Sequence, residues 1–233
     1  MVEAIFSCMK KLFELVNLNL FRAVKQPIDL DDLHDSSHPL ITISREYGSG
    51  GSIIAKKVAA RLGKEWKVYH REIVDEIAQE ARLEKKLIRA VDEKQVPAVE
   101  EIIGDLFGRR YMTLQSYHKH LVKILSVIGA KGNAVIIGRG AHFLFPHALK
   151  VRIIAPDSWR VQTVMKYEKV SRKRAISIIE KKDREREEFN RSLFRSNIHN
   201  PYQYDVTIQT GDDLSIQDAV KIILSLAQRR FKQ

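Results

Sequence analysis

The chain has 233 residues, 44% of them hydrophobic, and a net charge of +11. A chain of this length and composition can build one α/β domain with a sizeable core, which excludes the disordered, fibrous and low-complexity classes. The positive excess indicates an anionic partner, which could be a nucleotide, a nucleic acid or a membrane surface.

Residues 1–39 are predicted to form an amphipathic helix followed by a linker. Apolar side chains recur at helical spacing between residues 2 and 24, and Pro27 and Pro39 bracket an acidic run that ends the pattern. We expect the helix to pack on the core or to form a homodimer with a second subunit. Binding to a membrane surface is the weaker alternative, because the polar face of the helix is not strongly basic.

Two absences from the sequence bear on location. No apolar run approaches the ~20 residues of a transmembrane helix. The single cysteine, Cys8, cannot form an intrachain disulfide and fits a reducing compartment. We therefore expect a cytoplasmic protein without a membrane span.

From residue 40 onward, apolar strands alternate with helices, which predicts an α/β fold with a parallel sheet covered on both faces. The predicted strands are 41–44, 67–69, 134–137, 149–154 and 204–209. The predicted helices are 53–62, 71–81, 84–93, 97–107, 113–131, a long basic helical region at 158–194, and 216–230. In such sheets, ligands bind at the carboxyl ends of the strands.

The glycine-rich run SREYGSGGS, residues 44–52, joins the first strand to the first helix. Glycines let the backbone fold tightly around an anion, and the N–H groups of the helix start point at it. Against the usual GxxxxGK[ST] loop, Arg45 replaces the first glycine and Gly51 replaces the lysine. We predict that Ser52 reaches a phosphate-bound Mg²⁺ and that Arg45 substitutes for the lysine. The predicted phosphate-binding residues are Gly48, Ser49, Gly50, Gly51 and Ser52.

Two other strand ends carry candidate acceptor-binding residues. Arg139 lies between two glycines in the run IIGRGA, and an arginine there suits bidentate phosphate recognition. The alternative is an ordinary turn with a surface arginine. His70 and Arg71 follow the second strand and could contact an acceptor nucleotide, although a polar strand end without a function explains them about as well.

The run KKDREREEFNR, residues 181–191, lies in the most basic part of the chain. On a helix, Asp183 and Arg186 share one face while Arg184 lies on another. Taken alone, the run indicates a charged helix stabilised by pairs four residues apart. Together with the glycine-rich run and Arg139, it indicates a mobile arginine lid over a triphosphate, where positioned arginines stabilise the transferred phosphoryl group. The histidines lack zinc-binding spacing.

The combined segments resemble the cytidylate kinase-like family, which is related to CMP kinases among the P-loop nucleoside monophosphate kinases. The resemblance covers roughly residues 40–227, in order, through ITISREYGSGG, AKKVAARLG, VYHREIVDEIAQEA, VIIGRGAHFLF, VRIIAPDSWRVQTVM, KKDREREEF, YDVTIQT and SIQDAVKII. It implies a three-layer P-loop fold over residues 40–233, with a nucleoside monophosphate-binding insert around 70–130 and an arginine-bearing lid around 180–195.

The resemblance also implies an activity, which is transfer of the γ-phosphoryl group of ATP to a pyrimidine monophosphate such as CMP or dCMP, with Mg²⁺. By motif matching, the residues from Gly48 to Ser52 would hold the donor phosphates and Arg139 the acceptor phosphate. The lid motif matches Asp183, Arg184 and Arg186. Two positions depart from CMP kinases: Gly51 stands at the loop lysine, as is usual in the kinase-like group, and Gly140 stands where an aspartate follows the strand-end arginine.

Two other function classes stay open at this point. The missing loop lysine favours a nucleotide-binding regulatory module that lacks kinase turnover, with residues 1–39 as its partner-binding arm. The charge of +11 alone would suit a nucleic-acid binder. We rank that class last, because the basic excess concentrates where a lid is expected and no aromatic-rich RNA-binding motif is present.

Overall fold

The structure is a computed structural model, and it describes residues 38–70 and 114–231. Five parallel strands form one sheet in the order β2-β3-β1-β4-β5. The expected α/β fold is therefore confirmed. The strands are β1 (Leu40–Arg45), β2 (Lys67–Tyr69), β3 (Ala134–Ile137), β4 (Leu149–Ile154) and β5 (Val206–Gln209).

Six α-helices are described. They are α1 (Gly51–Leu62), α2 (Leu114–Lys131), α3 (Ala141–Leu144), α4 (Asp157–Glu168), α5 (Arg172–Phe194) and α6 (Ile216–Arg230). One short 3-10 helix, Pro201–Gln203, precedes β5. The start of α6 is fixed by a capping box, in which Ser215 and Asp218 satisfy each other's backbone N–H groups.

The central position of β1 determines where a ligand can bind. This strand pairs with β3 on one side and with β4 on the other, so that Ile43 lies beside Ile137 and Ser44 beside Arg152. The connections from β1 and β4 therefore emerge next to each other at the carboxyl edge of the sheet. Open α/β sheets bind ligands at such an edge.

One face of the sheet is covered by α1 and α6. Alternate residues of β1 and β4 point to this face and are fully or almost fully buried, as the two-residue period of a strand requires. Each buried isoleucine or valine stabilises the fold by about 1.5–3 kcal/mol. The residues at this contact include Ile41, Ile43, Val151, Ile153, Ile54, Val58, Val220 and Ile223.

The predicted bounds of β2, β3, β4 and α6 agree with the structure. The long helical region at 158–194 is in fact two helices, because Lys169 adopts a left-handed φ of 54° and Ser171 begins α5 by accepting a hydrogen bond from the Arg174 N–H. The last strand begins at Val206 rather than at residue 204, because Tyr204 closes the preceding 3-10 helix by donating its N–H to the carbonyl oxygen of Pro201. The short α3 was not predicted.

Several predictions fall outside the described residues and stay predictions. They are the amphipathic helix and its dimer contact, the three helices between residues 71 and 107, most of the expected insert, and the role of Arg71. In the described part of the chain, no helix combines the length and the apolar composition needed to cross a membrane.

Candidate functional site

The glycine-rich run forms a tight turn between β1 and α1. Gly48 and Gly50 both have positive φ, at 83° and 82°, and Gly50 is the capping residue of α1. The first N–H groups of a helix have no acceptor within it, and those of Gly51 and Ser52 donate to nothing else among the described residues. The loop therefore presents free N–H groups and the positive end of a helix dipole to an anion.

The two serines of the loop differ in their surroundings. Ser49 is fully buried, and its hydroxyl donates to the carbonyl oxygens of Glu46 at 2.9 Å and Ile153 at 3.3 Å. This hydroxyl therefore holds the loop against β4. Ser52 is exposed in the first turn of α1, so its hydroxyl remains accessible to a ligand.

Arg45 occupies the space in front of Gly51. A Cβ built on Gly51 would lie 2.7 Å from the Cβ of Arg45 and 2.9 Å from its Cγ, closer than real Cβ atoms approach other atoms. The arginine side chain thus crosses the position from which the usual lysine would extend. Glycine at position 51 is what allows this crossing.

The guanidinium of Arg45 extends from β1 toward the ends of β2 and β3. Its Nη2 lies 3.0 Å from Nε2 of His70, and because a guanidinium only donates, the imidazole nitrogen is the acceptor in this contact. On the β3 side, a Cβ at Gly138 would overlap Nη1 of Arg45. Burial lowers the pKa of Arg45 well below its ordinary value, and the charges of Arg186 and Arg139 lower it further.

Arg139 lies in a turn of three consecutive residues with positive φ, between Gly138 at 72° and Gly140 at 66°. Its own φ is 59°, a conformation that non-glycine residues rarely adopt. Burial lowers its pKa to about 9, with a further contribution from the charge of Arg186. The structure therefore brings Arg45, His70 and Arg139 together at the carboxyl edge of the sheet.

Helix α5 lies against the glycine-rich loop through Asp183. One carboxylate oxygen accepts the Tyr47 N–H at 2.8 Å and lies 3.2 Å from Nη1 of Arg186, and the other is bound by Arg160. The Tyr47 ring adds apolar contacts to α4 and α5. In the expected lid segment, Asp183 therefore fastens the helix to the loop.

The two predicted lid arginines face different environments. Arg186 donates to the carbonyl oxygen of Arg45 at 3.3 Å, and its guanidinium lies 5.2 Å from the centre of the Tyr47 ring. Burial lowers its pKa, and the nearby Asp183 carboxylate opposes that shift. Arg184 is exposed and lines a cleft between the carboxyl ends of β1 and β4 and the helices α4 and α5. Only Arg186 is in contact with the loop.

Sequence reasoning missed three charged residues at this edge: Glu46, Arg152 and Arg160. Arg152 lies in the middle of β4 and is only 3% exposed, although the sequence analysis treated this strand as apolar. A charged residue inside an otherwise apolar strand was the signal that could have identified it. For Arg160, burial lowers the pKa, but hydrogen bonds with Asp157 and Asp183 outweigh that effect and raise it.

Five arginines converge at this edge. Within the described residues, Glu46, Asp157 and Asp183 form ion pairs with Arg152, Arg160 and Arg186. The converging arginines are Arg45, Arg139, Arg152, Arg160 and Arg186.

The cytidylate kinase-like family matches residues 40–212, which is most of the chain. The chain belongs to this family. The resemblance inferred from the motifs is confirmed, and membership of the cytidylate kinase-like family suggests a nucleotide kinase-like function. No curated protein matches the chain.

The chain is similar to an uncharacterized protein from Eubacterium ventriosum, with 21% identity and a TM-score of 0.61 over 82% of this chain and 98% of that one. It is also similar to TT1252 from Thermus thermophilus, with 17% identity and a TM-score of 0.47 over 81% and 98%. At these identities, the first similarity supports the fold and nothing more specific.

This cytidylate kinase-like chain differs from CMP kinases at Gly51 and Gly140, and the structure explains the glycine at each position. At Gly51, the side chain of Arg45 takes the space that a lysine would need. At Gly140, a Cβ would overlap the ring of Phe194, which comes from the last residue of α5. Glycine at this position therefore lets the end of α5 pack against the turn that carries Arg139.

Proposed function

We propose that the chain is an ATP-dependent phosphotransferase that transfers the γ-phosphoryl group to a small acceptor, with CMP or dCMP as the default acceptor. The observation that carries this proposal is the position of Arg45. Its side chain lies across Gly51, beside free helix N–H groups and near Arg186 and Arg139. This arrangement supplies a cation where the usual loop has its lysine.

The donor phosphates would lie on the N–H groups at the start of α1, with Arg45 beside them. The described residues hold no group of three or more carboxylate, histidine or cysteine side chains that could bind a metal by themselves. This fits Mg²⁺, which usually binds through one or two protein ligands plus substrate phosphates. The exposed hydroxyl of Ser52 is the ligand we assign, and the ion would neutralise developing charge on the phosphates.

In the transfer, an acceptor oxygen forms a bond to the γ-phosphorus while the bond to the β,γ-bridging oxygen breaks and ADP leaves. The protein's contribution is positioning and electrostatic stabilisation. Arg45 and Arg186 would stabilise charge on the transferred oxygens, and Asp183 holds Arg186 in place. Arg139 would bind the acceptor phosphate, with His70 and Arg71 beside the acceptor. The exposed Arg184 would approach only once a nucleotide is bound.

A coupled assay for ADP formation tests the proposal. Purified full-length chain with ATP and Mg²⁺ is offered CMP, dCMP, UMP, AMP and small hydroxyl acceptors. We expect turnover with at least one acceptor, and a loss of turnover in Arg45→Met but not in the exposed control Lys56→Met. Demonstrable ATP binding without turnover on any acceptor would contradict the enzyme assignment.

A second candidate is a nucleotide-binding regulatory module, and one contact favours it. The Asp183 carboxylate already accepts the Tyr47 N–H of the loop and binds both Arg160 and Arg186, so a bound anion must share these groups with it. This candidate predicts nucleotide binding without turnover, and loss of a protein partner when residues 1–39 are deleted. Turnover in the coupled assay decides against it.

A further inference from the structure

The side chain of Arg45 runs along the carboxyl edge of the sheet. It leaves the end of β1, crosses Gly51 and passes Gly138 at the end of β3, where an added Cβ would overlap Nη1 of the guanidinium. It ends at His70, with Nη2 of the arginine 3.0 Å from Nε2 of the ring. Because β3 lies between β1 and β2 in the sheet, this hydrogen bond joins the ends of two strands that are not neighbours.

Within the described residues, His70 is the one side chain that hydrogen-bonds to the guanidinium of Arg45. Burial lowers the pKa of Arg45 well below its ordinary value, and the charges of Arg186 and Arg139 lower it further. The Asp183 carboxylate opposes this shift, but both of its oxygens already accept other hydrogen bonds. In this part of the chain, Arg45 is therefore held by a ring nitrogen and not by a carboxylate.

An imidazole and a carboxylate could hold this arginine in the same place, but they would leave different charges. A carboxylate forms a charge-assisted pair that cancels the charge of the guanidinium. An imidazole nitrogen that accepts a hydrogen bond carries no proton, so a ring that holds Arg45 through Nε2 adds no charge of its own. The charge of Arg45 then stays available to an anion at the start of α1, beside the N–H groups of Gly51 and Ser52.

We propose that His70 is a positioning residue: its hydrogen bond fixes the guanidinium of Arg45 across Gly51 and leaves the positive charge free to bind the donor phosphates. An arginine side chain has several rotatable bonds, and holding it in place before the ligand arrives removes an entropic cost of binding. In this role His70 acts on the donor phosphates through Arg45. The link to phosphoryl transfer rests on the proposed phosphotransferase function, whereas the effect on phosphate binding does not.

A matched pair of variants separates the position of Arg45 from its charge. His70→Gln and His70→Glu introduce side chains of the same length, each with a terminal oxygen that can accept in place of Nε2, and they differ in charge. Isothermal titration calorimetry measures the binding of ATP with Mg²⁺ to the full-length chain. We expect His70→Gln to bind ATP within about threefold of the wild type and His70→Glu to bind it about 10-fold more weakly. The control is Lys67→Gln at the exposed start of β2, which should leave the affinity for ATP unchanged.

The melting temperature without ligand distinguishes this role from a purely structural one. Because a glutamate would pair with the guanidinium of Arg45, we expect His70→Glu to melt at or above the temperature of His70→Gln while it binds ATP less tightly. If His70 only stabilised the fold, the more stable of the two variants would bind ATP at least as well as the other. Opposite orders of stability and affinity therefore support the proposal.

A third variant tests whether the effect passes through Arg45. His70→Leu removes the acceptor, and we expect it to weaken ATP binding about 3- to 10-fold. In an Arg45→Met background the same change should alter the affinity for ATP by less than about twofold, because residues that act as a unit are not additive. Equal effects in the two backgrounds would overturn the proposal. If His70→Leu does not fold, the comparison of His70→Gln with His70→Glu still decides it.

The outcomes separate this inference from the proposed function. ATP binding that follows the predicted order, without turnover on any acceptor, keeps the role of His70 and removes the kinase. Turnover together with equal ATP affinities of His70→Gln and His70→Glu overturns the role of His70 and leaves the kinase. Failure of the wild-type chain to bind ATP overturns both.

Discussion

The Cβ of Arg45 lies 2.7 Å from the point where a Cβ at position 51 would stand, so a side chain cannot be added to Gly51 without moving Arg45. The two residues are six positions apart in sequence and meet because the glycine-rich loop turns the start of α1 back over the end of β1. In the GxxxxGK pattern, the glycine comes first and the cation last. Here the arginine comes first and the glycine last, and the cation still reaches the part of the loop where the lysine would lie.

Because of this contact, we predict that a lysine at position 51 destabilises the protein. Gly51→Lys should lower the free energy of unfolding by about 1–3 kcal/mol, because overpacking forces Arg45 to move. The double variant Arg45→Gly, Gly51→Lys should recover most of that loss. Urea unfolding measures both, with Ala60→Lys on the exposed face of α1 as the control. Equal stabilities of the single and double variants would argue against the steric account.

Arg45 should contribute more to the turnover of ATP than to the stability of the fold. Arg45→Met should reduce ATP turnover by about 10²–10³-fold, the usual effect of losing one positioned donor. Its melting temperature without ligand should change little, because the buried cation has a lowered pKa and an unsatisfied Nε. Steady-state kinetics and thermal unfolding check the two parts. A large loss of stability with intact turnover would assign Arg45 a structural role instead.

Asp183 should stabilise the contact between α5 and the loop. Asp183→Asn removes the charge that binds Arg160 and Arg186 while keeping an acceptor for the Tyr47 N–H. We expect a loss of about 1–3 kcal/mol in unfolding free energy, compared with no loss in Asp213→Asn at an exposed position. Denaturant titration of the two variants makes the comparison. Similar stabilities would mean that the ion pairs contribute nothing net.

His142 predicts how stability depends on pH. Its side chain is buried, and burial lowers its pKa from 6.5 to about 4. Between these values the unfolded state binds the proton more readily than the folded state, so stability falls as pH drops from 6.5 toward 4. The full effect is about 3 kcal/mol. Unfolding of the wild type and of His142→Leu at several pH values measures the slope.

The His142→Leu variant should lack that part of the slope, whereas His199→Gln at an exposed position should keep it. A wild-type stability that is flat between pH 6.5 and 4 would contradict the assignment. The charges of Lys150 and Arg152 act in the same direction as burial. Replacing Lys150 should therefore reduce the slope slightly.

Gly140 should tolerate no side chain. Gly140→Asp, which introduces the residue found in CMP kinases, forces a Cβ into the Phe194 ring at a positive φ of 66°. We expect a loss of about 1–3 kcal/mol. Gly211→Ala, whose added Cβ would meet its nearest atom at 3.7 Å, serves as the control. Thermal unfolding of the two variants in parallel tests the prediction, which fails if their melting temperatures match.

Most of the sheet could be predicted from local pattern. Short apolar runs bounded by glycine or proline gave the bounds of β3 and β4, and the apolar period gave α6. The break between α4 and α5 escaped prediction because Lys169 and its neighbours are not typical helix breakers. The length of α3, only four residues, leaves too little periodicity to detect.

The sequence by itself determined three local features of the site: a glycine-rich turn after a buried strand, an arginine at another strand end, and a basic helix. These features depend on neighbouring residues alone, because glycine and β-branched residues favour particular backbone conformations and charged residues favour the surface. The tertiary structure alone decided that Arg45 crosses Gly51, that Asp183 fastens α5 to the loop, and that Arg152 has an unsatisfied donor in the cleft. The Asp183 contact joins residues 136 positions apart in sequence, and only the packing of helices and strands brings them within reach.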